Sequence, residues 1–175
     1  MQIRNRSTVK PLSDVQVGEL FWFQLNSGRA LGIALRRLQG GTLKIGVLRA
    51  DAIDAPQPFH FDLADPDPCL SYGEDWEIEP LPGPETLPGD MRHVETDGAV
   101  HITARGLTLR FHRTPQNISS SGFSYDLLNR EAANFNRDDC APVLRWRIWA
   151  SAASPRHPGE LPVFEFDAGA PVTGR

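Results

Sequence analysis

Two histidines, His93 and His101, are the strongest metal-ligand candidates in this sequence. They flank a predicted hairpin loop at residues 96–98, which would place their side chains opposite each other on neighbouring strands. Transition metals accept imidazole ligands, but a usable site needs a third donor, and Glu95 is the nearest candidate. Ordinary surface histidines remain the alternative interpretation, and no cofactor is expected.

Acidic side chains form a second group that can do chemistry or bind a partner. Residues 51–90 carry 11 of the 22 acidic residues and no lysine or arginine, whereas the rest has 11 acidic and 18 basic residues, a net charge of +7. An acidic surface accelerates association with a basic protein, and the same balance makes nucleic acid an unlikely partner. The alternative is that this segment lies against its own basic flanks. The candidate partner-binding residues are Asp65, Asp67, Glu74, Asp75, Glu77 and Glu79.

Common catalytic motifs are absent from the sequence. It contains no G-x-S-x-G, H-E-x-x-H, C-x-x-C, G-x-x-x-x-G-K-[ST] or G-x-G-x-x-G, which lowers the odds on the usual hydrolase and nucleotide-binding mechanisms. Cys69 and Cys140 are interpreted as reduced core residues, although the sequence does not show whether they meet. Binding is therefore favoured over catalysis.

The stretch 92–113 predicts the sheet that would carry the histidines. Loops at 96–98 and at Arg105-Gly106 would make a three-stranded antiparallel meander, with Ile102 facing Leu109. Alternation with a period of two then separates two faces. The apolar face takes Val94, Val100, Ile102, Ala104, Leu107, Leu109 and Phe111; the polar, solvent-facing side takes His101, Thr103, Thr108, Arg110 and His112.

The N-terminal part predicts a second antiparallel ribbon, with strands at 19–26, 29–38 and 42–49. Turns are expected at Ser27-Gly28 and Gly40-Gly41. Both faces of the first strand are partly apolar, since Phe21 and Phe23 alternate with Leu20 and Trp22. Such a ribbon is either sandwiched or strongly curled.

Shorter elements complete the prediction. Strands are expected at 59–63, around Trp76 and Ile78, at 143–150 as a core strand, and at 163–166 at an edge. The outward face of the core strand would carry Arg145 and Arg147, paired with acids of the middle segment. Residues 125–135 fit a helix or a strand followed by an irregular turn, and the strand is favoured.

The fold class follows from these elements: mainly β, with antiparallel strands in two packed layers or a barrel-like sheet and at most one short helix. One domain is expected over residues 1–175, made of a curled ribbon (15–50), an acidic proline-rich middle (51–90) and a C-terminal sheet (91–167). No apolar run approaches the roughly 20 residues that span a bilayer, and the start lacks a signal-peptide core. The prediction is a cytoplasmic protein with no membrane contact and of unknown oligomeric state.

The segment Val17-Gly18-Glu19-Leu20-Phe21, followed by a strand and by residues 26–32 (NSGRALG), resembles the opening hairpin of a family of bacterial immunity proteins. The resemblance covers about 20 residues. Glu19 stands where the family usually has Asp, and Asn26-Ser27 occupies the turn. The resemblance implies a small β-rich domain that neutralises a toxin of a polymorphic or contact-dependent system by binding it, and it implies no catalytic residue.

The predicted function is accordingly a non-enzymatic protein-binding module, in its most specific form an immunity-type protein that covers a basic toxin surface with acidic residues. The alternative is a small-ligand-binding protein or enzyme with a pocket between the sheets, lined by Trp22, Trp146 or Trp149. A structural or assembly component is a third class.

Overall fold

A computed structural model of the chain describes residues 7–53, 58–64, 67–84, 86–88, 96–113, 122–134, 137–151 and 159–168. The described residues form fourteen strands and three single-turn 3-10 helices, Leu12–Asp14, Gln39–Gly41 and Arg137–Asp139, so the mainly β prediction is confirmed. None of these helices has the length or apolarity needed to cross a bilayer. The strands are β1 Thr8–Pro11, β2 Leu20–Leu25, β3 Gly28–Arg37, β4 Leu43–Ala50, β5 Phe59–Leu63, β6 Pro68–Gly73, β7 Glu77–Pro80, β8 Val100–Thr103, β9 Gly106–Arg113, β10 Phe123–Asp126, β11 Glu131–Ala132, β12 Cys140–Val143, β13 Arg145–Trp149 and β14 Phe164–Asp167.

Two sheets contain all of these strands. The large sheet has the order β1-β6-β2-β3-β4-β5-β9-β10-β11, with β8 paired to β9 and to β12, and the small sheet has the order β14-β13-β7. Every pairing is antiparallel except that of β5 with β9. The large sheet does not close on itself, so two packed layers is the architecture that forms.

Strand β2 is buried on both of its faces, as the sequence predicts. Phe21 and Phe23 belong to one apolar cluster together with Ile45. Leu20 belongs to a second cluster, together with Trp146 of the small sheet. Each fully buried side chain of this size contributes about 1.5–3 kcal/mol to folding. The second cluster holds the two sheets together.

A close contact joins the N-terminal ribbon to the C-terminal strands. The ring of Phe111 on β9 lies directly against Gly46 on β4, where a Cβ atom would sit 2.4 Å from the ring carbons. Only glycine leaves room for this packing. The two parts of the chain thus share one core.

The small sheet is anchored by Trp146, which is fully buried between Phe164 and Phe166 with ring centroids 5.3 Å away in both cases. Its indole N–H donates to the carbonyl oxygen of Gly98 over 2.8 Å. The core strand predicted at 143–150 forms over Arg145–Trp149, whereas Val143 ends β12 of the large sheet. Arg147 faces outward, as predicted, but its Nε lies 2.9 Å from Oε1 of Glu165 on β14, which is not an acid of the middle segment.

The hairpin between β8 and β9 differs from the predicted register by two residues. Ile102 lies opposite Leu107 rather than Leu109, so Ala104 and Arg105 form the loop. The hydroxyl of Thr103 closes this loop by accepting from the backbone N–H of Arg105 and donating to the carbonyl of Gly106. A slip of two residues leaves every side chain on its predicted face, so alternation alone does not fix the register.

The prediction of a solvated polar face on β8 and β9 is wrong at His101 and Thr108, which are 0% and 3% exposed. The large sheet is covered on both sides here, and period-two alternation sorts residues into faces without indicating what covers each face. The predicted first strand of the meander lies at 92–95, outside the described residues.

Two open questions of the sequence are answered by the fold. Residues 123–126 form β10 and residues 131–132 form β11, so the strand interpretation of this region is confirmed over the helical one. Cys69 and Cys140 are both buried and neither forms a disulfide bond, as predicted. Burial raises the pKa of each thiol, which keeps it protonated.

Candidate functional site

A cleft of about 110 Å³ opens between the two sheets. Three segments build it: the turn that precedes β2, the link from β6 to β7 that connects the sheets, and the tight turn between β10 and β11. Concave sites between layers that combine apolar walls with a few polar groups are the usual places for ligands. The residues lining this cleft are Gly18, Glu74, Trp76, Ile78, Tyr125, Leu127 and Arg130.

Gly18 forms the first wall and holds it in place. Its backbone N–H donates to the carbonyl of Ala34 on β3 over 2.7 Å, and its carbonyl accepts from the indole N–H of Trp76 over 2.7 Å. Its φ of +93° belongs to the region that glycine adopts without strain. Trp76 therefore ties the link between the sheets to the start of β2.

The turn between β10 and β11 forms the opposite wall and is organised by Asp126. The Oδ1 atom of Asp126 accepts from the backbone N–H groups of Leu128 and Asn129, each over 2.9 Å, and Oδ2 accepts from the Asn129 side chain over 2.8 Å. Burial raises the pKa of Asp126, but these donors outweigh it and leave the pKa below its usual value. The turn ends at Arg130, whose φ is +57°.

Arg130 lies across Gly18 and reaches the rim of the cleft. A Cβ atom on Gly18 would fall 2.7 Å from Cδ and 2.8 Å from Nε of Arg130, so the side chain rests on the bare glycine backbone. Its Nη1 donates to Oε2 of Glu74 in an ion pair in which both side chains are 42% exposed. The pair spans the cleft from the turn to the inter-sheet link.

Tyr125 is the buried polar residue of the cleft wall. The residue is 1% exposed, and its hydroxyl has no hydrogen-bond partner among the described residues. Burial raises the pKa of this phenol, and the negative charge of Asp126 raises it further, whereas the positive charge of Arg130 lowers it. The net pKa is raised, so the hydroxyl is neutral at physiological pH. A buried hydroxyl without a partner costs about 1–3 kcal/mol. Such a group in a cleft wall is a candidate for contact with a ligand.

The predicted partner-binding acids that the structure describes are spread over the two ends of β6 and along β7. Asp65 lies outside the described residues, and Asp67 precedes β6 while Glu74 and Asp75 follow it, about 20 Å apart by the rise of an extended strand. Glu74 lines the cleft, and Asp75 and Glu77 are exposed beside it. Glu79 on β7 accepts from the indole N–H of Trp149 over 2.9 Å.

Three acids of the segment 51–90 form ion pairs with basic residues of the flanking parts of the chain. Asp51 lies 3.0 Å from Nε of Arg49 and 3.5 Å from Nε of Arg29. Asp62 lies 2.7 Å from Nζ of Lys44 across two neighbouring strands. These pairs, with Glu74–Arg130, match the alternative weighed in the sequence, in which the middle lies against its own flanks.

The metal candidates are not brought together in the part of the chain that the structure describes. His93 lies outside the described residues, and His101 is buried on β8. His112 lies with Nδ1 2.8 Å from Oδ2 of Asp97, which Arg110 also contacts. No group of three or more histidine, cysteine, aspartate or glutamate side chains arranged for a metal ion occurs among the described residues.

The tryptophans predicted to line a pocket do not line this cleft. Trp146 fills the core and Trp149 is bound to Glu79, while Trp22 is half-buried with the Arg29 guanidinium 5.6 Å from its ring centroid. The tryptophan that lines the cleft is Trp76. Tyr125 and Arg130 had no sequence signal, because they meet Gly18 and Trp76 only through the pairing of distant strands.

The residues that resemble an immunity protein have structural roles in this chain. Gly18 forms a cleft wall, and the buried Glu19 accepts from Nζ of Lys10 and from the hydroxyl of Ser71, each over 2.7 Å, which fixes the edge strand β1 to its neighbours. Comparison with known protein families, with curated proteins and with solved structures found no match to this chain. The resemblance of residues 17–32 therefore stays a proposal.

Proposed function

We propose that this protein is a small-ligand-binding protein and that the cleft between its sheets is the binding site. The observation that carries the proposal is Tyr125, a residue that lines the cleft and whose buried hydroxyl has no hydrogen-bond partner among the described residues. A ligand whose polar group forms a hydrogen bond with this hydroxyl would remove the free-energy penalty of burying the hydroxyl without a partner. That gain in free energy would contribute to the affinity for the ligand. The Arg130 guanidinium adds a charged contact at the rim.

The form of the cleft supports a ligand group of modest size. Among the residues that line the cleft, Ile78 and Leu127 supply apolar contact, and Tyr125 and Arg130 carry hydrogen-bond donors. An enclosed cavity of about 150 Å³ holds a benzene molecule. A cleft of about 110 Å³ therefore takes a group smaller than benzene, and the rest of a larger ligand extends through the opening.

The indole N–H of Trp76 provides a direct test, because it lies in the cleft and donates to Gly18. A panel of small polar fragments is added to the ¹⁵N-labelled protein, and the four tryptophan indole signals are followed by NMR. We expect at least one fragment to shift the Trp76 signal while the signal of the fully buried Trp146 stays in place. If every fragment leaves the Trp76 signal unchanged, the proposal fails.

A second candidate function is binding of a basic protein, with toxin neutralisation as its most specific form. The observation that favours it is the exposure of Asp75, on the link between the sheets, and of Glu77, two residues later at the start of β7. Exposed acids at one corner attract a basic surface over a distance of about 8–10 Å at physiological ionic strength. The resemblance of residues 17–32 supports the same function.

This candidate is tested by recovering partners from the native host at low and at high salt, followed by association kinetics of the recovered protein. Asp75→Asn with Glu77→Gln should slow association and flatten its dependence on salt, since two exposed charges are removed. Asp67→Asn, at the far end of β6, is the control for a general change in net charge. Equal association rates for the double variant and the native protein would exclude this corner as the docking site.

A further inference from the structure

The ion pair between Glu74 and Arg130 is the outermost part of the cleft. Both side chains are 42% exposed, whereas Tyr125 in the wall below is 1% exposed. A ligand that reaches the enclosed Tyr125 hydroxyl from solvent must therefore pass or replace this pair.

The two partners of the pair are held to different degrees. Arg130 is fixed by its contact with Gly18 and by its backbone N–H, which donates to the carbonyl of Asp126 over 2.9 Å. Glu74 lies in the bend between β6 and β7, and among the described residues its carboxylate contacts Arg130 alone. Because Arg130 has more contacts, we expect the carboxylate of Glu74 to be the partner that moves when the pair opens.

Glu74 shows which chemical group fits against Arg130 at this place. A guanidinium presents several N–H donors in a planar fork that matches a carboxylate, and only Nη1 is used by Glu74. An ion pair as exposed as this one contributes little to stability. Replacing the Glu74 carboxylate on Arg130 by the carboxylate of a ligand therefore costs little free energy.

We propose that the ligand of the cleft carries a carboxylate, which replaces Glu74 on Arg130, and that Glu74 acts as an internal competitor that closes the empty cleft. The inference rests on the proposed small-ligand function and adds the ligand class and its regulation. The group that enters is the size of acetate or propionate, in keeping with the volume of the cleft.

The experiment uses sodium propionate and its neutral isostere propionamide as probes. Each is titrated into the ¹⁵N-labelled full chain at constant ionic strength, and the Trp76 indole signal gives the Kd. Native protein should bind propionate more tightly than propionamide. Glu74→Gln should bind propionate about two- to fivefold more tightly, the factor that corresponds to an exposed ion pair. Arg130→Gln should lose the preference for propionate.

Glu77→Gln is the matched control, since it removes the same charge three residues further along, at the start of β7 and outside the cleft lining. It should leave the Kd of propionate unchanged, and an unshifted Trp146 signal in each variant reports an intact core. Equal Kd values for native protein and Glu74→Gln, or equal binding of propionate and propionamide by native protein, would overturn the inference. If the inference fails but a neutral fragment still shifts the Trp76 indole signal, the proposed ligand-binding function is preserved. If no probe shifts that signal in native protein or in Glu74→Gln, both the inference and the proposed function are overturned.

Discussion

The indole N–H of Trp76 donates to the carbonyl oxygen of Gly18 over 2.7 Å. This bond connects the link between the two sheets with the turn that opens β2, although the residues are 58 positions apart in the chain. It sets the separation of two cleft walls. The predictions below concern the residues that hold these walls and the core behind them.

Replacing Gly18 by alanine should destabilise the protein by about 1–3 kcal/mol, because the new Cβ strains a backbone with φ of +93° and collides with Arg130. Gly40→Ala is the matched control: its φ is also positive, at +75°, but no atom lies within 4 Å of the new Cβ. Urea unfolding of both variants separates backbone strain from collision. In a protein that also carries Arg130→Ala, the loss of stability caused by Gly18→Ala should be smaller, and the loss caused by Gly40→Ala should be unchanged. If Gly18→Ala destabilises equally with and without Arg130, the contact between Gly18 and Arg130 is refuted.

Gly46→Ala should cost about 1–3 kcal/mol, because its Cβ would lie 2.4 Å from ring carbons of Phe111. Phe111→Leu removes those ring atoms and should make the alanine less harmful, although the substitution itself leaves a cavity. A double-mutant cycle by urea unfolding measures the coupling between the two positions. Strictly additive effects would show that the ribbon and the C-terminal strands do not meet here.

Glu19 should make stability depend on pH. Burial raises the pKa of its carboxyl, but hydrogen bonds from Lys10, Ser71 and the Gln16 backbone, with the charge of Lys10, bring the pKa below its usual value. A carboxyl whose pKa is lower in the folded state stabilises fully above its unfolded pKa, and this contribution is lost as the pH falls through the folded pKa.

At pH 7 we therefore expect Glu19→Gln to be about 1.5–3 kcal/mol less stable than the native protein, the range for hydrogen bonds to a charged group. The difference should shrink as the pH falls below about 4.5, the reference pKa of glutamate. Urea unfolding across this pH range measures it, with the exposed Glu77→Gln as control. A difference that stays constant down to acidic pH would argue against a charged Glu19 in the folded protein.

The sequence predicted the elements that depend on local pattern. Alternation along β2 and β13 indicated strands with buried faces, and the glycine pair at 40–41 marked a turn, because these signals lie within a few residues. The cleft could not be predicted in the same way. Tyr125, Trp76 and Gly18 come together only after β10, β7 and β2 have found places in two sheets, and no periodicity encodes that pairing.

The ion pairs of the acidic segment could not be predicted from the sequence either. Its composition indicated a surface able to attract a partner, yet composition does not show which acids the fold pairs internally. Lys44 and Arg130 lie on either side of the segment in sequence and contact Asp62 and Glu74 in the fold. Asp75 and Glu77 remain exposed beside the cleft.

The central claim is that the Tyr125 hydroxyl serves a ligand rather than the fold, and Tyr125→Phe tests it. Removing a buried hydroxyl that lacks a partner should leave stability unchanged or raise it by about 1 kcal/mol, as seen by urea unfolding. The decisive measurement is the Kd of propionate from the Trp76 indole signal in Tyr125→Phe and in the native protein. Weaker binding by a variant of equal or greater stability is the predicted result, and an unchanged Kd would contradict the account.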